Sequence, residues 1–161
     1  MGTRSGDIDA TVIFYLVNQL GYSIDQVSNL LNKQSGMLGL TGFSDMRDIT
    51  KAINEGNQAA KLAYDMYAYR IKKYIGAYAA VLNGVDAIIF TAGVGENDAL
   101  LRKLVCEELE YLGIQIDKDK NQIRSKDLRE INQSDSQVKI LVVPTNEELE
   151  IANQCFSLIK K

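Results

Sequence analysis

Apolar residues return at helical intervals over most of this chain and close up into short unbroken runs at only two places, Ala87-Ile88-Ile89-Phe90 and Val138 to Val143. A helix is expected over about Ala10 to Leu20, ended by Gly21. A second starts at Ser23, where Ser23-Ile24-Asp25-Gln26 fits a capping box, and runs to about Gln34. Residues 36–44, with Gly39 and Gly42, read as a flexible loop, and Asp45-Met46-Arg47-Asp48 heads a short helix closed by Gly56. Apolar positions then recur from Ala59 through Leu62, Ala63, Met66, Tyr67, Ile71, Tyr74, Ile75 and Tyr78 to Leu82, which predicts the longest helix. Tyr64 and Tyr69 fall off that stripe and suggest aromatic surface on the opposite face.

The run at Ala87–Phe90 is short enough for a buried strand and too short for a buried helix. Thr91 to Asn97 follows with Gly93 and Gly95, a strand-to-helix corner with Asn97 or Asp98 as the candidate N-cap. Leu100, Leu101, Leu104, Val105, Leu109 and Leu112 predict a helix ending at Gly113. Residues 114–116 and 122–124 around the charged turn Asp117 to Asn121 read as a hairpin, and Ser125 to Gln137 as a solvated excursion. Val138 to Val143 is the second buried strand, stopped by Pro144, and the last helix covers Glu147 to Ile159. The order predicts an α/β arrangement with the two main strands parallel and covered by helices. Two strands make a thin sheet for so helical a chain, so strands from outside it are expected to complete the sheet. The abrupt start, a glycine-punctuated loop at Met1 to Asp9 dense in functional side chains, points the same way.

Composition narrows the function. At 161 residues and 46% hydrophobic the chain is the size of one domain with a sizeable core, and no linker divides it. There is no leader pattern and no apolar run that would cross a bilayer, so a soluble cytoplasmic protein is expected. A net charge of −3 offers no basic field for nucleic acid. Cys106 and Cys155 sit in apolar helical patterns and read as buried thiols. The absence of histidine removes the commonest general base and metal ligand, leaving arginine, carboxylates, hydroxyls and backbone for any chemistry.

Four stretches carry candidate chemistry, each beside a plainer alternative. Arg4, between Gly2 and Gly6, has the planar fork that suits a phosphoryl transition state, or it pairs with Asp7 or Asp9 at a helix start. Asp45 could hold ribose hydroxyls and Arg47 lie on an adenine ring, or both simply solvate a helix N-terminus. Gly93-Val94-Gly95-Glu96-Asn97 lets a nucleotide approach bare backbone, or is an ordinary turn. Glu147, after Thr145-Asn146 at the end of a strand, could help hold magnesium beside substrate phosphates, or is a favoured first-turn carboxylate, as is Glu148. Together they read as phosphoryl transfer from a nucleotide.

MGTRSGDID at Met1 to Asp9 resembles the arginine signature of acetate kinases, FTAGVGEN at Phe90 to Asn97 their adenosine-binding segment, and VPTNEEL at Val143 to Leu149 their C-terminal magnesium segment. The motifs stand in the family's order and the resemblance covers essentially the whole chain. It implies an α/β, ribonuclease-H-like fold of the actin, sugar kinase and heat-shock ATPase type. The chain would form the later part of the second, nucleotide-binding domain over residues 1–161, an incomplete domain with a few-stranded, largely parallel sheet and covering helices. It further implies that Arg4 stabilises the transferring phosphoryl group. Asp45, Met46, Arg47, Gly93, Val94, Gly95, Glu96 and Asn97 would contact the adenosine end of ATP or ADP, and Glu147 would help bind Mg2+, with Glu148 the fallback if the register is off by one. Ala10 and Val94 depart mildly from the family pattern. The implied partners are acetate and acetyl phosphate in a whole enzyme and a second copy in a homodimer. The family's acetate pocket, catalytic aspartate and histidine would lie upstream, so little turnover is expected of this chain alone. Propionate kinase, or a non-catalytic nucleotide-binding or dimerising module, is the alternative.

Overall fold

The computed structural model describes residues 2–160; Met1, the first residue of the expected opening loop, lies outside them. The chain divides into two compact units, Met1–Tyr67 and Ala68–Lys161, and the boundary falls inside a helix, so no linker marks it.

In the first unit, α1 (Thr11–Asn18) and α2 (Ile24–Lys33) lie where the apolar spacing places them. The capping box at α2 is complete: the Ser23 hydroxyl accepts from the Gln26 N–H, and the Gln26 side chain accepts from the Ser23 N–H at 2.8 Å. The expected loop after Gln34 is instead a short helix, α3 (Gly36–Thr41). Met37 anchors it in the core, and the glycines that suggested a loop are tolerated within it or end it at Gly42, whose φ is 81°. α4 (Met46–Asn54) buries Ile49 and Ala52. The opening loop is pinned by backbone bonds: Ser5 donates to the Leu31 carbonyl, while the Gly2 and Thr3 carbonyls accept from Leu38 and Ser35 at 2.8 and 2.9 Å. Gly2 is required there, because a Cβ would stand 2.9 Å from the Ser44 carbonyl oxygen.

α5 (Gln58–Leu82) is the longest helix, as expected, but its buried seam differs from the expected stripe. Ala60, Ala63, Tyr64, Ala68 and Ala79 face inward, whereas Leu62, Met66, Tyr74, Tyr78, Val81 and Leu82 are exposed, as is Tyr69. Four alanines and Tyr64 take the buried side, and the bulkier apolar side chains are left on the other. Tyr74 and Tyr78 stack one turn apart with ring centroids 6.2 Å apart.

The second unit is built on a three-stranded sheet ordered β1-β3-β2. β1 (Ala87–Phe90) and β3 (Lys139–Val142) pair in parallel, with Ala87 opposite Lys139 and Phe90 opposite Val142. The sheet is mixed, because β2 (Arg129–Glu130) pairs antiparallel with β3. Both main strands bury alternate residues, Ile88 and Phe90 in β1 and Ile140 and Val142 in β3, while Ile89 is exposed; the expected burial on both faces is corrected to burial on one.

The crossover departs most from expectation. α6 (Ala92–Asn97) is followed by α7 (Ala99–Cys106), which ends well short of Gly113 because the chain leaves helical geometry at Glu107, in an extended conformation at ψ 142°, and then turns left-handed at Glu108; one 3-10 turn at Glu110–Leu112 completes the stretch. The hairpin is absent. Asp117 caps a short helix, α8 (Lys118–Gln122), by accepting from the Asp119 and Lys120 N–H groups. Ile114 bridges to Val138 and Ile116 to Asn132. Residues 125–137 are not a solvated excursion either, since they supply β2 and the buried Ile131 and Asn132. α9 (Glu147–Ile159) closes the chain within its expected bounds. Cys106 is buried, but Cys155 on α9 is exposed, contrary to expectation.

Candidate functional site

In the first unit, Arg4 is exposed on the loop that the bonds of Gly2, Thr3 and Ser5 hold in place. Asp9 turns to the helix start, accepting from the Thr11 N–H at 2.8 Å and hydroxyl at 2.6 Å, which pulls its carboxyl below the usual range. Asp45, Met46 and Arg47 stand at the head of α4. The Asp45 carboxylate accepts from the Arg47 N–H at 2.8 Å and from its guanidinium at 2.6 Å, and these bonds hold its pKa at about 2. The plainer alternative is thus present in the geometry: an N-cap with an exposed ion pair. It leaves the Arg47 side chain 90% exposed, with its planar face open for stacking.

In the second unit, Gly93, Val94, Gly95, Glu96 and Asn97 all lie within α6, at the carboxyl end of β1. This is where open α/β sheets place ligands. The sharp turn expected of the glycines is made by Ala92, whose φ of 60° is left-handed. For a residue with a Cβ that conformation costs about 1–2 kcal/mol. Gly95 serves close packing instead, because a Cβ there would come within 3.1 Å of the Phe90 carbonyl carbon and press α6 away from the strand end by a few tenths of an ångström. Gly93 is exposed with nothing near its missing Cβ, leaving its backbone open to a ligand. The Asn97 side chain donates back to the Gly93 carbonyl at 2.8 Å.

Two side chains tie this segment to the one after β3. The Thr91 hydroxyl, instead of capping α6, donates to the Val143 carbonyl at 2.8 Å. The Glu96 carboxylate accepts from the Thr145 N–H at 2.8 Å and its hydroxyl at 2.9 Å; both bonds favour the charged form and lower its pKa. Thr145 lies two residues before Glu147, an exposed carboxylate in the first turn of α9, where Asn146 supplies the N-cap. The segment that carries the glycine helix and the one that leads to the glutamate are therefore joined at two places, through the Thr91 hydroxyl and the Glu96 carboxylate.

Among the described residues no three of His, Cys, Asp or Glu cluster as a metal site. The donor set around Glu147 fits an ion held by one carboxylate and by oxygens of a bound phosphate, as magnesium commonly is, better than it fits an all-protein cage.

Sequence reasoning missed Arg102, Asn121 and Arg129. Arg102 is 2% exposed and donates to the carbonyls of Gly95 and Glu96 and to Asn121. Its signal was a charge between Leu101 and Val105, on the buried face of α7. Asn121 and Arg129 lay in segments read as turn and solvent.

The sequence profile of the Acetokinase family matches residues 1–153. The chain belongs to this family. It is 63% identical over 160 residues to acetate kinase of Flavobacterium johnsoniae, spanning 99% of this chain and 41% of that protein. The solved structure of Porphyromonas gingivalis acetate kinase matches with a TM-score of 0.91 at 46% identity, covering 99% of this chain and 40% of that one. A propionate kinase from Francisella tularensis matches at 0.86 and 42% identity, covering 94% and 38%. The chain thus spans about two-fifths of the length of the acetate kinases it matches. Its fold is their α/β, ribonuclease-H-like architecture, of which these residues form a portion with a small mixed sheet. Among the described residues no helix is long and apolar enough to cross a membrane.

Proposed function

We propose that the intact protein transfers a phosphoryl group reversibly between ATP and acetate, giving ADP and acetyl phosphate with Mg2+, and that residues 1–161 form the C-terminal part of its nucleotide-binding domain. The observation that carries this reading is the glycine-bearing α6 at the carboxyl end of β1, fastened through Glu96 and Thr145 to the segment that bears Glu147. Family membership supplies the reaction class.

In the forward direction an acetate oxygen forms a bond to the γ-phosphorus as the bond from that phosphorus to the β–γ bridging oxygen breaks, and the electron pair leaves with ADP. Such a transition state spreads negative charge over the equatorial oxygens, so positioning and electrostatics do most of the catalysis. Arg4, always charged and forked, is assigned to stabilise that charge. The exposed backbone of Gly93 and the half-buried Val94, Gly95 and Glu96, with Asn97, hold the adenosine end. Met46 and Arg47 line it, and Asp45 orients the Arg47 guanidinium. Glu147 helps hold magnesium, which neutralises phosphate charge when bound. The protein is assigned to the cytoplasm, and its exposed α5 tyrosine face to a homodimer contact.

The test joins calorimetry of this chain with Mg·ADP to a hydroxamate assay for acetyl phosphate. Saturable binding with negligible turnover is expected of residues 1–161 alone; substantial turnover by them would contradict the reading. In the intact enzyme Arg4→Ala is expected to lower kcat by about 10³-fold or more, and a loss below tenfold would remove Arg4 from that role. Propionate as acceptor is the second reading, favoured by the similarity to the Francisella tularensis propionate kinase. A comparison of kcat/KM for the two acids in the intact enzyme decides between them.

A further inference from the structure

α6 is six residues long, contains two glycines and begins on a left-handed alanine, so it has almost no intrinsic reason to hold its shape. Something else must hold it, and the candidate is an arginine. Arg102 is 2% exposed, and every nitrogen of its guanidinium is engaged. Nε donates to Asn121 Oδ1 at 2.8 Å and Nη2 to the Asn121 carbonyl at 2.8 Å, while Nη1 donates to the carbonyls of Gly95 and Glu96 at 2.8 and 3.0 Å. Asn121 is itself buried and locked by donating to the Ala99 carbonyl at 2.8 Å. Arg129 Nη2 donates to the same Glu96 carbonyl at 3.0 Å.

Burying a guanidinium is a poor way to gain stability, because a well-packed apolar side chain of similar volume serves as well or better. What the planar fork provides is a fixed location for several carbonyls at once. These are carbonyls near the end of α6, which the short helix does not satisfy internally.

We propose that Arg102, assisted by Arg129, is a positioning residue for nucleotide binding: it clamps the Gly95 and Glu96 carbonyls so that α6 presents a fixed backbone surface to the ligand. The clamp acts through α6, and its guanidinium is fully engaged within the protein. The proposal rests on the reading of residues 93–97 as the nucleotide segment.

The test uses this chain with Arg102→Met, Arg102→Lys and Arg129→Met. Amide hydrogen exchange is followed at residues 95–98 and, as a control, at Ile140 and Val142 of β3; Mg·ADP affinity is measured on the same samples. Arg102→Met and Arg129→Met are expected to speed exchange at residues 95–98 about tenfold and to weaken Mg·ADP about tenfold, with β3 exchange changed less than twofold. Arg102→Lys, which restores a donor without the fork, is expected to recover part of the affinity. Should Arg102→Met loosen β3 as well, the less buried Arg129 gives the decision. Unchanged exchange in α6, equal loosening of α6 and β3 in both methionine variants, or loosened α6 with unchanged affinity would each overturn the positioning role. Failure of the unaltered chain to bind Mg·ADP would overturn the nucleotide reading, and the clamp's ligand with it, whatever the exchange data show.

Discussion

The Glu96 carboxylate accepts two bonds from Thr145, so one charge serves both the segment after β1 and the segment after β3. Those bonds depress its pKa below the ordinary 4.5. A depressed folded-state value means that the link is present in full above about pH 4.5 and is lost as pH falls through the lower, folded value. The Thr145 amide signal is therefore expected to titrate with a midpoint below 4.5, and Glu96→Gln to abolish that titration; a midpoint at or above 4.5 would show that the bonds do not form. The two cysteines divide just as sharply. Burial pushes the Cys106 thiol up to about 12, while Cys155 is exposed. A thiol-specific disulfide reagent at neutral pH is expected to modify Cys155 in the native protein and Cys106 only on unfolding, since the thiolate is the reactive form. Two fast equivalents of reaction in the native state would contradict the buried position of Cys106.

β3 is the central strand, with Ile140 and Val142 fully buried, and the sheet depends on it. Ile140→Ala is expected to destabilise the chain by about 2–5 kcal/mol in urea unfolding, through lost burial and the cavity left behind. Ser23→Ala at α2 removes the acceptor for the Gln26 N–H and is expected to cost about 1 kcal/mol. The elements carrying these changes were legible in the sequence. The capping box, both parallel strands, the last helix and the strand-end glycines are local patterns, and local patterns set them. The crossover was not legible. α8, β2 and the buried Ile131 and Asn132 depend on partners outside their own segments: Asn121 on Arg102 and Ala99, Lys120 on Asn132, and Ile131 and Asn132 on Ile140. α5 misled for a related reason: helical spacing reports an apolar stripe but not which stripe is covered, and its alanine seam with Tyr64 took the buried side. The candidate segments bearing Arg4, Asp45 to Arg47, Gly93 to Asn97 and Glu147 are singled out by motif together with the family resemblance, and their roles belong to the proposed function. The braces at Arg102, Asn121 and Arg129 are not singled out, because a buried arginine defies the pattern that finds the core.

The two compact units each carry part of the motif set: Arg4 and Asp45 to Arg47 in one, and Gly93 to Asn97 and Glu147 in the other. The chain belongs to the Acetokinase family and spans about two-fifths of its relatives' length; the proposed function assigns both sets of residues to one phosphoryl transfer. The most direct measurement is a titration of the isotopically labelled chain with Mg·ADP, following backbone amides. The expected result is a saturable shift concentrated at residues 93–97, with Glu147 and its neighbours shifting only when magnesium is present. Saturating Mg·ADP without movement of residues 93–97, or shifts spread evenly over the chain, would contradict the assignment of α6 to the nucleotide.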